Sequence, residues 1–482
     1  MRLLLYSWNA NNEQVLADNL KKFGFELVIY DKPCKHYTRD LELASDMIPF
    51  IHAQNVEAVI SFNYFPMLSM ICSTCQIPYY AWVYDCPHFT LYAKQIMLPC
   101  NHIGIFDREM VKHLQEIYQV PTVFHAPLAA DTEYFDRVIQ AAQGMKSAQD
   151  ENSAHGTDHV VDFESEQRDI GGRTLAQYTC DVSFVGSLYT DEHNYYDILG
   201  VAESGSVAES NSKAAGGSAE KGGSKSAGGS AEISGSMAAA DSVTENGNAT
   251  SASLDRVLTR QCFDYHRDYL RLSLVLGEND TSVIMNKMKE HGLMLGEDYF
   301  ANPEDILLAA VLEKKVTVEE RRILLTQIAR MGISDFAQTD SGGRLRDFCF
   351  KLYTGSDTKK LPVLDACNQG TVDYHTQMPL VFASSRINLN ISLRSIHSGI
   401  PLRVLDIMAC GGFVLSNWQP ELAEYFTEGE EITLFENKEE CMEKIAYYLS
   451  HEEKRKEIAA AGKRKVQELF SYGRGLERLF GV

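Results

Sequence analysis

No uninterrupted apolar run in this sequence approaches the roughly 18 residues that a membrane-crossing helix needs, so no membrane span is expected. The opening stretch, Met1-Arg2-Leu3-Leu4-Leu5-Tyr6-Ser7-Trp8-Asn9, has one basic residue and an apolar run too short for an export signal. It reads as a buried strand, and the expected location is the cytoplasm. Basic residues are in deficit: 45 against 66 acidic, a formal net charge of −21, with no dense Lys/Arg stripe. Such a chain repels a phosphate backbone, and a nucleic-acid partner is not expected. The eleven cysteines are odd in number, lack the spacing of a small disulfide scaffold and fall partly in apolar segments, as at Cys349 and Cys410. Free thiols fit this better than a disulfide framework. Cys72-Ser73-Thr74-Cys75 has no second pair and no nearby histidine couple, so core thiols are a better account than a zinc site. There is no Gly-x-Gly-x-x-Gly after the first strand and no Walker A sequence, which removes the main support for a dinucleotide dehydrogenase or a P-loop enzyme.

What is present is ordinary globular material: 482 residues, 45% hydrophobic and 23% charged. That length exceeds what one core usually serves and predicts two domains. Residues 1–136 alternate short apolar runs (3–8, 26–30, 58–62, 79–84, 103–106) with helical patterns. Strands apolar on both faces predict a parallel sheet covered by helices, a Rossmann-like first domain. Residues 137–178 lose that periodicity and read as a linker. A second α/β domain is predicted over 179–482, opening with the strand at Asp181 to Ser187. Within it, residues 203–253 contain few large apolar side chains and repeat Gly-Gly-Ser-Ala-Glu at 216–220 and 228–232. They cannot offset their ordering entropy and are expected to be a disordered, solvated insertion. Residues 254–335 read as a helical insert, after which strand and helix alternation resumes.

The densest chemical signal runs from Ser395 to Asn417: a Gly399/Pro401 turn, a helix with Arg403 and Asp406 on one polar face, a Gly-Gly stop and a buried strand. Gly399 permits close backbone approach and Pro401 suits a first helical turn, so the amides there, with Ser398, form a candidate anion site. Arg403 can add a bidentate guanidinium for a diphosphate, and Asp406, at i+3, can accept from ribose hydroxyls. An ordinary exposed i,i+3 ion pair is the plainer account of the last two. Gly186 and Ser187 end the second domain's first strand, where a small residue lets a phosphate approach; a plain turn glycine is the alternative. Arg386 and Asn388 flank another strand edge, as do Asn390 and Ser392. In the first domain Asp85 and His88 follow the strand 79–84, and either could take a proton from an attacking hydroxyl. A helix cap and a packed neutral imidazole explain them equally well. Asn9, Asn11 and Asn12 occupy the corresponding edge of the first strand.

The segment "GIPLRVLDIMACGGFVLSN" resembles the donor-binding helix and strand of the group 1 glycosyltransferases, in particular the CgeB-like spore-maturation branch. Gln419-Pro420-Glu421-Leu422, Tyr447-Tyr448-Leu449 and Ser471-Tyr472-Gly473-Arg474 continue the likeness. "SSRINLNIS" and "CDVSFVGSLY" are similar to the family's preceding strands. "SFNYFP", "AWVYDCPH" and "PLAADTEYF" resemble the domain that commonly precedes it in bacterial proteins. The resemblance implies a GT-B fold, two Rossmann-like domains facing each other across a cleft. It also implies transfer of a sugar from a nucleotide diphosphate donor to a glycan, protein or other acceptor. Asp85 and His88 would then be catalytic, with Ser398, Gly399, Pro401, Arg403, Asp406, Gly186, Ser187, Arg386 and Asn388 on the donor. No cofactor is implied beyond the donor substrate. The chain also lacks the Asp-x-Asp that metal-dependent sugar transferases use, so no metal site is expected. One departure stands out: of the two glutamates eight positions apart that retaining members carry, the second aligns with Asp406 and the first with Ser398, which leaves the anomeric outcome open. An epimerase of the same shape and a non-catalytic nucleotide-binding protein are the alternatives.

Overall fold

The computed structural model describes residues 1–150, 174–189, 296–331 except 308, 310 and 312, and 348–482, with 286, 289 and 290. The expected disordered insertion at 203–253 and most of the expected helical insert at 254–335 lie outside the described residues.

The first sheet comprises β1 (Arg2–Tyr6), β2 (Glu26–Tyr30), β3 (Ala58–Phe62), β4 (Tyr79–Val83), β5 (Asn101–Ile105) and β6 (Val123–His125), in the order β2-β1-β3-β4-β5-β6. Every pairing is parallel, with Leu5 opposite both Ile29 and Ile60. Helices α1 (Glu13–Lys22), α2 (Leu41–Ala53), α3 (Pro66–Cys75) and α4 (Arg108–Glu116) make the crossovers. Alternate side chains of β1 enter opposite cores, Leu3 and Leu5 on one side and Leu4 and Tyr6 on the other, which is why the strand reads as continuously apolar. Asp40 and Asp107 cap α2 and α4 by accepting from Leu43 N (3.0 Å) and Met110 N (3.1 Å).

Helix α5 (Thr132–Asp150) runs well into the stretch expected to be linker. After α6 (Leu175–Tyr178) the second sheet forms from β7 (Cys180–Val185), β8 (Phe350–Tyr353), β9 (Ser385–Asn390), β10 (Val414–Asn417) and β11 (Thr433–Phe435), ordered β11-β10-β9-β7-β8 and again parallel. Before β8 come α7 (Pro303–Leu307) and α8 (Glu313–Ala329); α9 (Pro362–Asp365) and α10 (Met378–Ser384) precede β9. Helices α11 (Leu402–Ala409), α12 (Pro420–Tyr425), α13 (Lys438–Ser450), α14 (Glu452–Leu469) and α15 (Tyr472–Phe480) complete the chain.

Two features depart from a simple split at residue 179. The last helix, α15, leaves the second domain and packs on β4, β5 and α1 of the first. Gly475 permits this, since a Cβ there would sit 2.7 Å from Trp82 Cζ2, and the Phe480 ring lies 4.6 Å from Tyr80 and 4.8 Å from Phe25. The two crossings meet where Ala130 N donates to Phe470 O (2.9 Å). The described part of the insert also leans on the first domain. Ile306, Val311, Val316 and Val318 enter its core, and Arg39 grips Asp298 with two bonds of 2.9 and 3.0 Å. Two parallel α/β domains facing each other, with the C-terminal helix returned to the first, constitute the GT-B arrangement. No helix among the described residues is long and apolar enough to cross a membrane.

Candidate functional site

In a parallel sheet the loops leaving the carboxyl ends of strands meet on one edge, and a ligand site is expected there. The turn after β4 does this in the first domain. Asn63, at the end of β3, is 2% exposed and held at φ 59°, a left-handed conformation that asparagine tolerates. Its Oδ1 accepts from Tyr84 N (3.1 Å) and Asp85 N (3.2 Å), while its Nδ2 donates to Asp85 Oδ2 (2.7 Å). His88 follows, its Nε2 2.7 Å from Thr90 Oγ1 and 3.2 Å from both Tyr64 N and Tyr64 O. Burial lowers the pKa of this imidazole, partly opposed by the Tyr64 carbonyl and the charge of Asp85.

Asp85 and His88, with Tyr84, Cys86 and Pro87, line a hollow of about 400 Å³ between the lobes. The far wall is Tyr189, beyond β7, and Leu393, Ser395 and Ile396, beyond β9; Ala309, Lys314 and Thr317 close it from the insert. Helix α8 holds that wall in place through one face. Glu313, Thr317 and Glu320, at i, i+4 and i+7, meet His397 Nε2 (2.5 Å), Arg394 N (3.0 Å) and Arg394 Nε (2.7 Å).

Two cations of α8 stand at this wall, Lys314 and Arg321. Lys314 Nζ lies 3.4 Å over the Tyr189 ring, and the Arg321 guanidinium stands 5.1 Å from the same ring and 5.4 Å from Phe184. Arg321 is 7% exposed; its Nη1 and Nη2 donate to Ser187 O and Ile391 O (2.5 Å each), and its Nε has no partner. Among the described residues no carboxylate pairs with it. Burial lowers its pKa, as does the like charge of Arg403, while Tyr189 works the other way.

The remaining expected donor residues are placed differently. Ser398 and its neighbour are bound to the first domain: Asp107 Oδ2 accepts from His397 N (2.6 Å) and Ser398 N (3.2 Å), and Asp107 Oδ1 from Ser398 Oγ (2.9 Å). A Cβ on Gly399 would come 2.7 Å from the Phe106 ring and 2.8 Å from Phe106 O. The close approach expected for a phosphate is therefore taken by the first domain, and the amides at 397 and 398 are already used. Pro401 is the N-cap of α11, with an extended ψ of 140°, not a residue of its first turn. Arg403 stacks on Phe382 (5.6 Å) and donates to Met378 Sδ. Asp406 is 1% exposed, and its Oδ1 accepts from Tyr374 OH (2.9 Å), which accepts from Asn12 Nδ2 (3.1 Å). Neither Arg403 nor Asp406 lines the 400 Å³ hollow. Arg386 and Asn388 are structural: Arg386 donates to Asp181 Oδ1 (3.0 Å) and Leu449 O (2.6 Å), and the 1%-exposed Asn388 ties Ser183 Oγ (3.0 Å) to Phe382 O (3.0 Å). Asn390 and Ser392 bond each other (3.1 Å). Gly186 N donates to Tyr353 O (3.0 Å), and Ser187 Oγ meets Ser356 Oγ (3.1 Å) beside the Arg321 contact. Asn9 and Asn11 line a second interlobe hollow of about 350 Å³ with Glu13, Asp373, Tyr374 and His375.

Lys314 and Arg321 carry no sequence signal of their own, and Tyr189 and Asn63 stand out only as members of the stretches CDVSFVGSLY and SFNYFP.

Residues 298–481 match a family model described as glycosyl transferase-like. That stretch contains the insert's Lys314 and Arg321, all of the second sheet except β7, and the returning helix. The fold is similar to a glycosyltransferase from Rickettsia africae ESF-5, at 10% identity over 100% of this chain and 97% of that one, TM-score 0.49. It is also similar to sucrose-phosphate synthase from Thermosynechococcus elongatus (8%, 99% and 97%, TM-score 0.47) and to Anabaena Alr3699/HepE solved with UDP and glucose (7%, 100% and 98%, TM-score 0.45). No curated protein matches the chain at a significant level.

Proposed function

We propose that the protein transfers a glycosyl unit from a nucleotide diphosphate sugar to an acceptor hydroxyl in the 400 Å³ hollow. The carrying observation is a buried cation behind that hollow: Arg321, packed behind Tyr189, has no carboxylate partner among the described residues, with Lys314 lining the hollow itself. Burying a guanidinium without a counter-ion is costly, and an anionic ligand at that wall supplies the missing charge. The glycosyl transferase-like match over 298–481 supports reading that anion as a sugar nucleotide's diphosphate. In this reading the bond from the anomeric carbon to the diphosphate oxygen breaks, and the leaving charge develops against Lys314 and Arg321. The acceptor oxygen forms the new bond and passes its proton to Asp85 or His88 on the opposite wall. The chain's own cations neutralise the leaving group, consistent with a sequence lacking Asp-x-Asp.

The test is thermal stabilisation by UDP-, GDP-, ADP- and TDP-sugars, which reports binding to the native state, followed by product analysis with the sugar that binds. One donor is expected to stabilise the wild type and to lose at least about tenfold in affinity in Lys314→Met, the value of one charge-assisted bond. Equal binding by Lys314→Met, or no stabilisation by any donor, rejects the proposal.

A further inference from the structure

We infer that Asn63 is a positioning residue that aims the Asp85 carboxylate into the hollow; this rests on Asp85 acting as the proton acceptor proposed above. The geometry sets the orientation of the Asn63 amide without ambiguity. Two backbone N–H groups, Tyr84 and Asp85, point at one of its atoms, which must therefore be the carbonyl oxygen, and the NH2 is left facing Asp85 Oδ2 at 2.7 Å. One carboxylate oxygen is thus fixed by a donor, and Oδ1 is the oxygen without a partner among the described residues. An exposed aspartate on a turn would otherwise sample several rotamers; here a side chain 2% exposed pins both its backbone and its head group.

The left-handed turn does not by itself call for asparagine. Glycine adopts φ 59° at least as readily, yet glycine makes none of the three bonds to residues 84 and 85. Aspartate has the same shape and still accepts from the two amides, but it would set a second carboxylate against Asp85 Oδ2 where a donor now stands. Like charges at that separation cannot both stay ionised, so the pair would hold a proton to higher pH.

The experiment measures kcat/KM against pH in donor turnover for wild type, Asn63→Gly, Asn63→Asp and Asp85→Asn, with donor-induced thermal stabilisation recorded for each. Asn63→Asp is expected to move the acidic limb of the profile up by about one pH unit or more, the scale of a shared-proton carboxylate pair. Asn63→Gly is expected to lose about tenfold to a hundredfold in kcat, the cost of a mis-aimed catalytic group. Both should keep the wild-type response to donor, because Lys314 and Arg321 are untouched. With Asp85→Asn inactive, an unmoved acidic limb in Asn63→Asp, or wild-type kcat in Asn63→Gly, overturns the inference and leaves the proposed reaction standing. A fully active Asp85→Asn removes the base assignment and the positioning role together.

Discussion

Replacing Asp406 with asparagine should stabilise the protein at alkaline pH and leave it unchanged in acid. Asp406 is 1% exposed, and burial raises its carboxyl pKa from 3.8 to about 7, with the Arg403 charge and the Tyr374 hydroxyl pulling it only part of the way back. Between those two values the folded protein holds a proton that the unfolded chain has released. Raising the pH through this window therefore favours unfolding, and above pH 7 the accumulated cost stays constant. The gap corresponds to about 4 kcal/mol as an upper figure. Asparagine carries no charge to desolvate, and its Oδ1 can still accept from Tyr374 OH. Scanning calorimetry of both proteins from pH 3.5 to 8.5 should show nearly coincident melts at the acid end. By pH 8 the variant's second-domain transition should be higher by several degrees, given roughly 2–4 °C per kcal/mol for a domain of this size. A difference that does not vary with pH, or a variant less stable than wild type at pH 8, would refute the reasoning.

Gly475→Ala should lower the melting temperature and expose the last helix to proteolysis. The new Cβ would stand 2.2 Å from Cη2 and 2.7 Å from Cζ2 of a Trp82 ring that is 1% exposed, and overpacking of this kind costs about 1–3 kcal/mol. Asp107→Ala should loosen the lobes, because it strips the acceptor from His397 N and Ser398 N at the interface and leaves Ser398 Oγ only Glu421 Oε1. An increased radius of gyration in small-angle scattering is the expected result, and an unchanged value with an unchanged melt would count against the interface described.

The first sheet was legible because its strands are apolar on both faces and are separated by helices: 26–30 and 58–62 coincide with β2 and β3. What the sequence hid is non-local. Nothing in Tyr472–Phe480 says that it will leave its own domain, since an amphipathic helix looks the same whichever core receives it; the deciding fit is Gly475 against Trp82, nearly 400 positions away in the chain. The same limit applies to the site. Ser398 and Gly399 have the chemistry of an anion turn, but whether their amides face a ligand or Asp107 depends on how two domains dock. Asp85 and His88 were reachable because strand ends in a parallel sheet share one edge. Lys314 and Arg321 were not, because they lie in a segment without alternation whose contacts come from both lobes.

The most direct measurement is a crystal structure of the protein with the nucleotide sugar that stabilises it most. The diphosphate should lie in the hollow between Asp85 and Tyr189, with a phosphate oxygen within hydrogen-bonding distance of Lys314 Nζ. A diphosphate bound elsewhere, with that hollow filled only by solvent, would contradict the account.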